Sequence, residues 1–202
     1  MAESDRKADF HRYLQDTRGS VLWKLEGLSE YDIRRPVVPT GTNLLGLVKH
    51  LACVEVGYFG DTFGLPFAED LPWDEAVPNS DMFAKPGESR DYITGLYRRA
   101  WAHSDATIEA LDLDAPGRVP WWPADRRETT LHHVLVRVIA ETGQHAGHAD
   151  IVRELIDGTV GLTADRPNLP SDEAAWWTAH RRRVEEAARE AAGLSKAPDA
   201  DT

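Results

Sequence analysis

Over four long segments the apolar residues of this chain recur at steps of three and four, and nowhere do they alternate at the two-residue step of a half-buried strand. That spacing restricts the fold to helices packed through apolar stripes. Phe10, Leu14, Val21, Leu22, Leu25 and Leu28 predict a first helix from about Asp9 to Leu28. A second runs from about Leu44 to Phe63 on Leu44, Leu47, Val48, Leu51, Val54 and Tyr58, with Thr42 or Asn43 as its N-cap and Gly57 and Gly60 blurring its end. The third covers about Arg90 to Leu113, with Tyr92, Leu96, Tyr97, Trp101 and Ile108 near one side. The fourth opens near Thr129 or Thr130 and continues to Asp157, where Gly158 is placed as a helix stop. A proline-bearing link leads to a fifth, Ser171 to Ala192, which Ser171 is placed to cap. The expectation is an all-α fold, a four-helix bundle with an additional C-terminal helix, forming a single domain over residues 1–192 with a disordered tail at 193–202.

The connections are marked by prolines and glycines: Pro36, Pro39 and Gly41 before the second helix, and Pro116, Gly117, Pro120 and Pro123 around Trp121 and Trp122 before the fourth. The longest, Gly64 to Gly87, carries Pro66, Pro72, Pro78 and Pro86 with Glu69, Asp70, Asp74, Glu75 and Asp81. A loop of this length is either a functional lid or surface padding.

Charge and cysteine content then exclude several function classes. With 34 acidic and 23 basic side chains the net charge is −11, which disfavours nucleic acid or an anionic membrane surface as partner. The single cysteine, Cys53, leaves no internal disulfide. Met1 to Asp9 lacks the apolar run of a secretory signal, and no window approaches a membrane span, so a soluble cytoplasmic protein is expected.

The fourth helix carries the chemistry. On a helical projection Glu141, His145 and His148 fall within about 40° of the line set by Val134 and Val152, so three polar side chains stand in an apolar stripe. A polar group buried there without a partner costs about 2 to 7 kcal/mol, a penalty that a metal ion removes. His50 borders the inward stripe of the second helix. One histidine from one helix and Glu-x-x-x-His from another make a three-ligand set suited to zinc first, or to nickel or ferrous iron, with a position left open for water or substrate.

The segment Thr42-Asn43-Leu44-Leu45-Gly46-Leu47-Val48-Lys49-His50-Leu51, taken with Glu141-Thr142-Gly143-Gln144-His145-Ala146-Gly147-His148-Ala149-Asp150, closely resembles the DinB/YfiT-like superfamily and, within it, the actinobacterial mini-circle proteins. The likeness extends over about residues 10–190. It implies a divalent metal held by His50, Glu141 and His145. Many members have His where this chain has Glu141, whereas the mycothiol-dependent maleylpyruvate isomerases have Glu there. Relatives include transferases and isomerases that use mycothiol, bacillithiol or glutathione, so the resemblance implies a metal-dependent thiol transferase or isomerase acting on a small electrophile, with a low-molecular-weight thiol as co-substrate; a homodimer is one assembly open to it. The alternative is a non-catalytic metal-containing bundle that binds a small molecule or partner.

His148 is the candidate catalytic residue, open between fourth ligand, general base, hydrogen-bonding partner of a ligand and a plain hydrogen-bonded histidine at the bundle rim. His132 and His133 are expected to pack or to face solvent, and Cys53 to be a small buried hydrophobe. The pairs Trp121-Trp122 and Trp176-Trp177 are expected to pack the loop and the last helix. Arg181 to Arg183 with Glu185 and Glu186 read as a solvated face.

Overall fold

A computed structural model describes residues 3–194. Five α-helices occur among them: α1 (Glu3–Trp23), α2 (Leu44–Phe59), α3 (Arg90–Ala110), α4 (Leu131–Asp157) and α5 (Ala174–Ala191). Contacts divide the chain between Arg166 and Pro167 into two compact units, the first containing α1 to α4 and the second α5. In the first unit α1 packs against α4, α4 against α2, and α2 against α3. The all-α bundle demanded by the periodicity is the observed architecture.

Local chemistry sets the helix ends. Asn43 caps α2, its Oδ1 accepting from the Gly46 N–H at 2.8 Å. α2 stops at Phe59, earlier than the periodicity suggested, and the chain tightens into a 3-10 turn, Asp61–Phe63, closed by Gly64 in the left-handed region at φ 67°. α4 begins behind Thr130, whose hydroxyl accepts from the His133 N–H, and ends at Gly158 with φ 78°, as expected.

α1 differs at both ends. It starts at Glu3, in a polar stretch with no apolar pattern to announce it, and stops at Trp23 because the next three N–H groups bond three residues back, to Val21, Leu22 and Trp23. Arg153 of α4 then donates to the Lys24 and Glu26 carbonyls at 2.9 and 2.8 Å, satisfying acceptors that a finished helix leaves open.

A short antiparallel pair absent from the sequence reading, β1 (Pro116–Arg118) with β2 (Glu128–Thr130), frames the Trp121–Trp122 loop. Strands of three residues are too short for alternation to register. In the second unit α5 begins at Ala174 behind Glu173, and Ser171 does not cap it. The Ser171 hydroxyl accepts from the Glu173 N–H, and its carbonyl accepts from the Trp177 indole N–H at 3.1 Å. Trp176 stacks on His180 with ring centroids 5.0 Å apart. Of the expected tail at 193–202, residues 195–202 lie outside the described residues. Among the described residues no helix is long and apolar enough to cross a membrane.

The core falls into two apolar clusters, and α4 contributes to both: Leu131, Val134, Leu135 and Val138 to one, Ala146, Ala149 and Val152 to the other. Glu141 and His145 occupy the stretch between them. Buried charge is paired. The Arg18 guanidinium, fully buried, donates to both oxygens of the equally buried Glu55 at 2.5 and 2.6 Å and to Asp105 at 2.7 Å.

Candidate metal centre

His50 of α2 and Glu141 and His145 of α4 converge so that one ligand atom from each lies within 4.8 Å of the other two. Oε1 of Glu141 is 3.2 Å from Nε2 of His145 and 3.7 Å from Nε2 of His50. Two ligand atoms bound tetrahedrally at zinc distances stand about 3.3 Å apart, so the observed spacing brackets what a single ion requires. The two nitrogens and one carboxylate oxygen suit a borderline divalent cation. The three side chains are mostly buried, between 12% and 20% exposed, which shields the site without sealing it.

Each of the three also has an outer partner. Nδ1 of His50 lies 2.7 Å from Asp81, which makes Nδ1 the protonated nitrogen and leaves Nε2 free to bind. Arg137, one turn before Glu141, holds its Oε2 at 3.0 Å and so leaves Oε1 to the histidines. His148 sits with its Nδ1 3.3 Å from Nδ1 of His145. Burial, and then the nearby His50, hold the His145 pKa below the ordinary histidine value, which favours the neutral ring that coordinates metal.

A cavity of about 460 Å³ opens beside these residues and is lined by His50, Glu141, Cys53, Tyr58, Trp73, Asp81, Trp121 and Arg137, among others. Trp121 rests on Gly57: a Cβ there would meet its Cη2 at 2.9 Å, so the glycine within α2 makes room for the indole. The same ring meets Tyr58 edge-on, with centroids 5.2 Å apart. The expectation that both loop tryptophans pack therefore holds for Trp122, half-buried against the cluster of Leu131, Val134, Leu135 and Val138, while Trp121 is 52% exposed and forms a cavity wall.

Cys53 touches this cavity but is 8% exposed, and burial together with Asp81 pushes its thiol up to about 12. It stays protonated near neutrality and is a poor nucleophile. His148 is exposed and approaches the site only through the back of His145. His132 packs against Phe10, and His133 lies beside Trp122 and Thr129; neither joins the cluster.

The sequence reading passed over three residues. Asp81 is one acid among several in a proline-rich connection, with no local mark. Lys49 stands within the quoted motif, but nothing in the sequence marks it for burial. Arg137 had a signal, since Arg-x-x-x-Glu places it one turn from Glu141.

A family model described as mycothiol-S-transferase matches residues 9–158, a span that takes in most of α1 and all of α2, α3 and α4, with every residue of the candidate centre. No curated protein and no solved structure matches the chain.

Proposed function

The chain belongs to the mycothiol-S-transferase family, which is DinB-like, and on that premise we propose that it is a metal-dependent S-transferase. His50, Glu141 and His145 would hold one divalent ion, zinc first, beside the cavity. The observation that carries this reading is the meeting of a three-ligand set with a cavity whose own cysteine is held protonated. The family points to a co-substrate as the source of the reactive sulfur, in keeping with the burial of Cys53.

When bound, the ion supplies a Lewis-acid position that favours the thiolate of a low-molecular-weight thiol of the mycothiol type near neutral pH. The chain's own residues do the rest. Asp81, Arg137 and His148 hold the three ligands in orientation. Tyr58, Trp73 and Trp121 give the small electrophilic substrate an apolar wall. The position of His148 behind His145 favours a role in holding that ring over one as a base acting on substrate.

The test is elemental analysis of protein purified without added metal or a histidine tag, followed by thiol-dependent turnover with mycothiol and a reactive electrophile. About one divalent ion per chain is expected, with both metal and turnover lost in His145→Ala. Less than about 0.2 ion per chain with no uptake on titration, or turnover that survives His145→Ala, would sink the reading.

A further inference from the structure

Lys49 immediately precedes His50 on α2, and its side chain is fully buried. Its ammonium is surrounded by acceptors from the connection between α2 and α3: the carbonyls of Ser80 at 2.8 Å and Phe83 at 3.0 Å, and both carboxylate oxygens of Glu88 at 2.9 and 3.2 Å. An ammonium removed from water is tolerated when its protons are met and its charge is paired, so this stretch must close over it.

Two more residues of the same region dock the same stretch. The Asn43 side-chain amide donates to the Met82 carbonyl at 3.2 Å. Gly46 has no Cβ, and one built there would collide with that carbonyl. Asn43, Gly46 and Lys49, spaced by three, therefore form a row along which 80–83 lies. Asp81 sits between the anchored carbonyls of Ser80 and Met82, its Oδ2 accepting from Nδ1 of His50 at 2.7 Å. Lys49 and His50 thus grip one short segment by neighbouring residues.

We propose that Lys49 is a positioning residue for His50: acting through Asp81, it keeps the imidazole proton on Nδ1 and Nε2 turned toward Glu141 and His145. The inference rests on the metal reading for its consequence, while the Lys49–Asp81–His50 arrangement can be observed without metal. A role confined to folding would affect stability and leave His50 indifferent to Asp81.

The full chain is compared with Lys49→Met, Gly46→Ala, Asp81→Ala and the double variant Lys49→Met/Asp81→Ala. Zn²⁺ affinity is read by competition with a chromogenic chelator. The histidine tautomers of metal-free protein are read by long-range ¹H–¹⁵N spectra at about pH 8, above the ordinary histidine range. Asp81→Ala and Lys49→Met are each expected to weaken Zn²⁺ binding by about 10- to 100-fold. The double variant should bind no more weakly than Asp81→Ala alone, because the two residues act in series. His50 should carry its proton on Nδ1 in the native protein and lose that preference in Asp81→Ala. If Lys49→Met does not fold, Gly46→Ala, which keeps Lys49 and Asp81 but displaces Met82, is expected to show the same loss.

Zn²⁺ affinity within about twofold of native in a folded Lys49→Met or Gly46→Ala protein, or losses that multiply in the double variant, would overturn the proposal. Native protein that takes up no Zn²⁺ yet shows the Nδ1-protonated His50 removes the metal reading and leaves the arrangement standing. Native protein that binds Zn²⁺ with a His50 tautomer unmoved by Asp81→Ala does the reverse.

Discussion

Arg137 divides the work of the Glu141 carboxylate: it holds Oε2 at 3.0 Å, and Oε1 is left facing Nε2 of both His145 and His50. The arginine is 48% exposed, so its loss should change stability by no more than about 0.5 kcal/mol. Arg137→Ala is nevertheless expected to weaken metal binding by about tenfold, because the carboxylate can then rotate or turn both oxygens elsewhere. A competition titration checks this, and an unchanged affinity would show that the bundle alone orients Glu141.

Metal removal should destabilise the fold without abolishing it. A ligand bound only by the native state, at a free concentration 100 times its Kd, contributes about 2.7 kcal/mol, or several degrees in Tm for a chain of this size. Thermal melts before and after chelation and dialysis give the shift directly, and its absence after verified removal would count against a ligand set buried in the native state.

Cys53 should prove dispensable to the chemistry. With its thiol pushed up to about 12, only about one molecule in ten thousand is thiolate at pH 8. Alkylation by iodoacetamide should be slow in the folded protein and fast in urea, and Cys53→Ala should keep turnover within about twofold. A large loss of turnover in a well-folded Cys53→Ala protein would return the nucleophile to the chain itself.

Gly57→Ala separates binding from stability. Alanine favours a helix by about 1 kcal/mol, but its methyl would push the half-exposed Trp121 ring from its seat. The expected result is a Tm unchanged or raised, with an increased KM for the electrophile and little change in metal content. An unaltered KM would mean that this wall does not meet the substrate.

The buried Arg18 network makes part of the bundle's stability depend on pH. Glu55→Ala strands the guanidinium and should cost about 3 to 5 kcal/mol in urea unfolding. Burial alone would raise the Asp105 pKa, but the hydrogen bond and charge of Arg18, with His11 beside them, hold it below its ordinary value of 3.8. Because the folded value lies under the unfolded one, the contribution is complete above 3.8 and is lost as pH falls below it toward the folded value. Asp105→Asn should therefore be less stable than the native protein near neutrality, with the gap closing in acid, as unfolding midpoints across this range would report.

What the sequence made legible was local. The bundle follows from three- and four-residue periodicity, Thr130 and Gly158 mark the ends of α4, and Glu141 and His145 declare themselves at the spacing of one helical turn. What it hid depends on chain closure. Asp81 reaches His50 from 31 residues away, across a proline-rich connection in which no periodicity singles it out. The burial of Lys49 is equally silent, since its partners, two backbone carbonyls and the distant Glu88 carboxylate, take their place only once that connection is laid down. Glu3 to Ala8 fold into α1 without an apolar stripe, and Lys7 there donates to the Glu109 and Leu111 carbonyls, a contact that no periodicity announces.

The connection between α2 and α3 lines the cavity twice, once with a residue that supports His50 and once with residues that do not. Residues 80–88 are tied to Lys49 and carry the support for His50; Asp74 is held to the Ser80 hydroxyl and Leu71 packs on the core, which leaves the side chains of Trp73 and Glu75 facing the same space without a role in that support. Substitutions at Trp73 or Glu75 would therefore reshape the cavity while leaving in place the residues that hold His50.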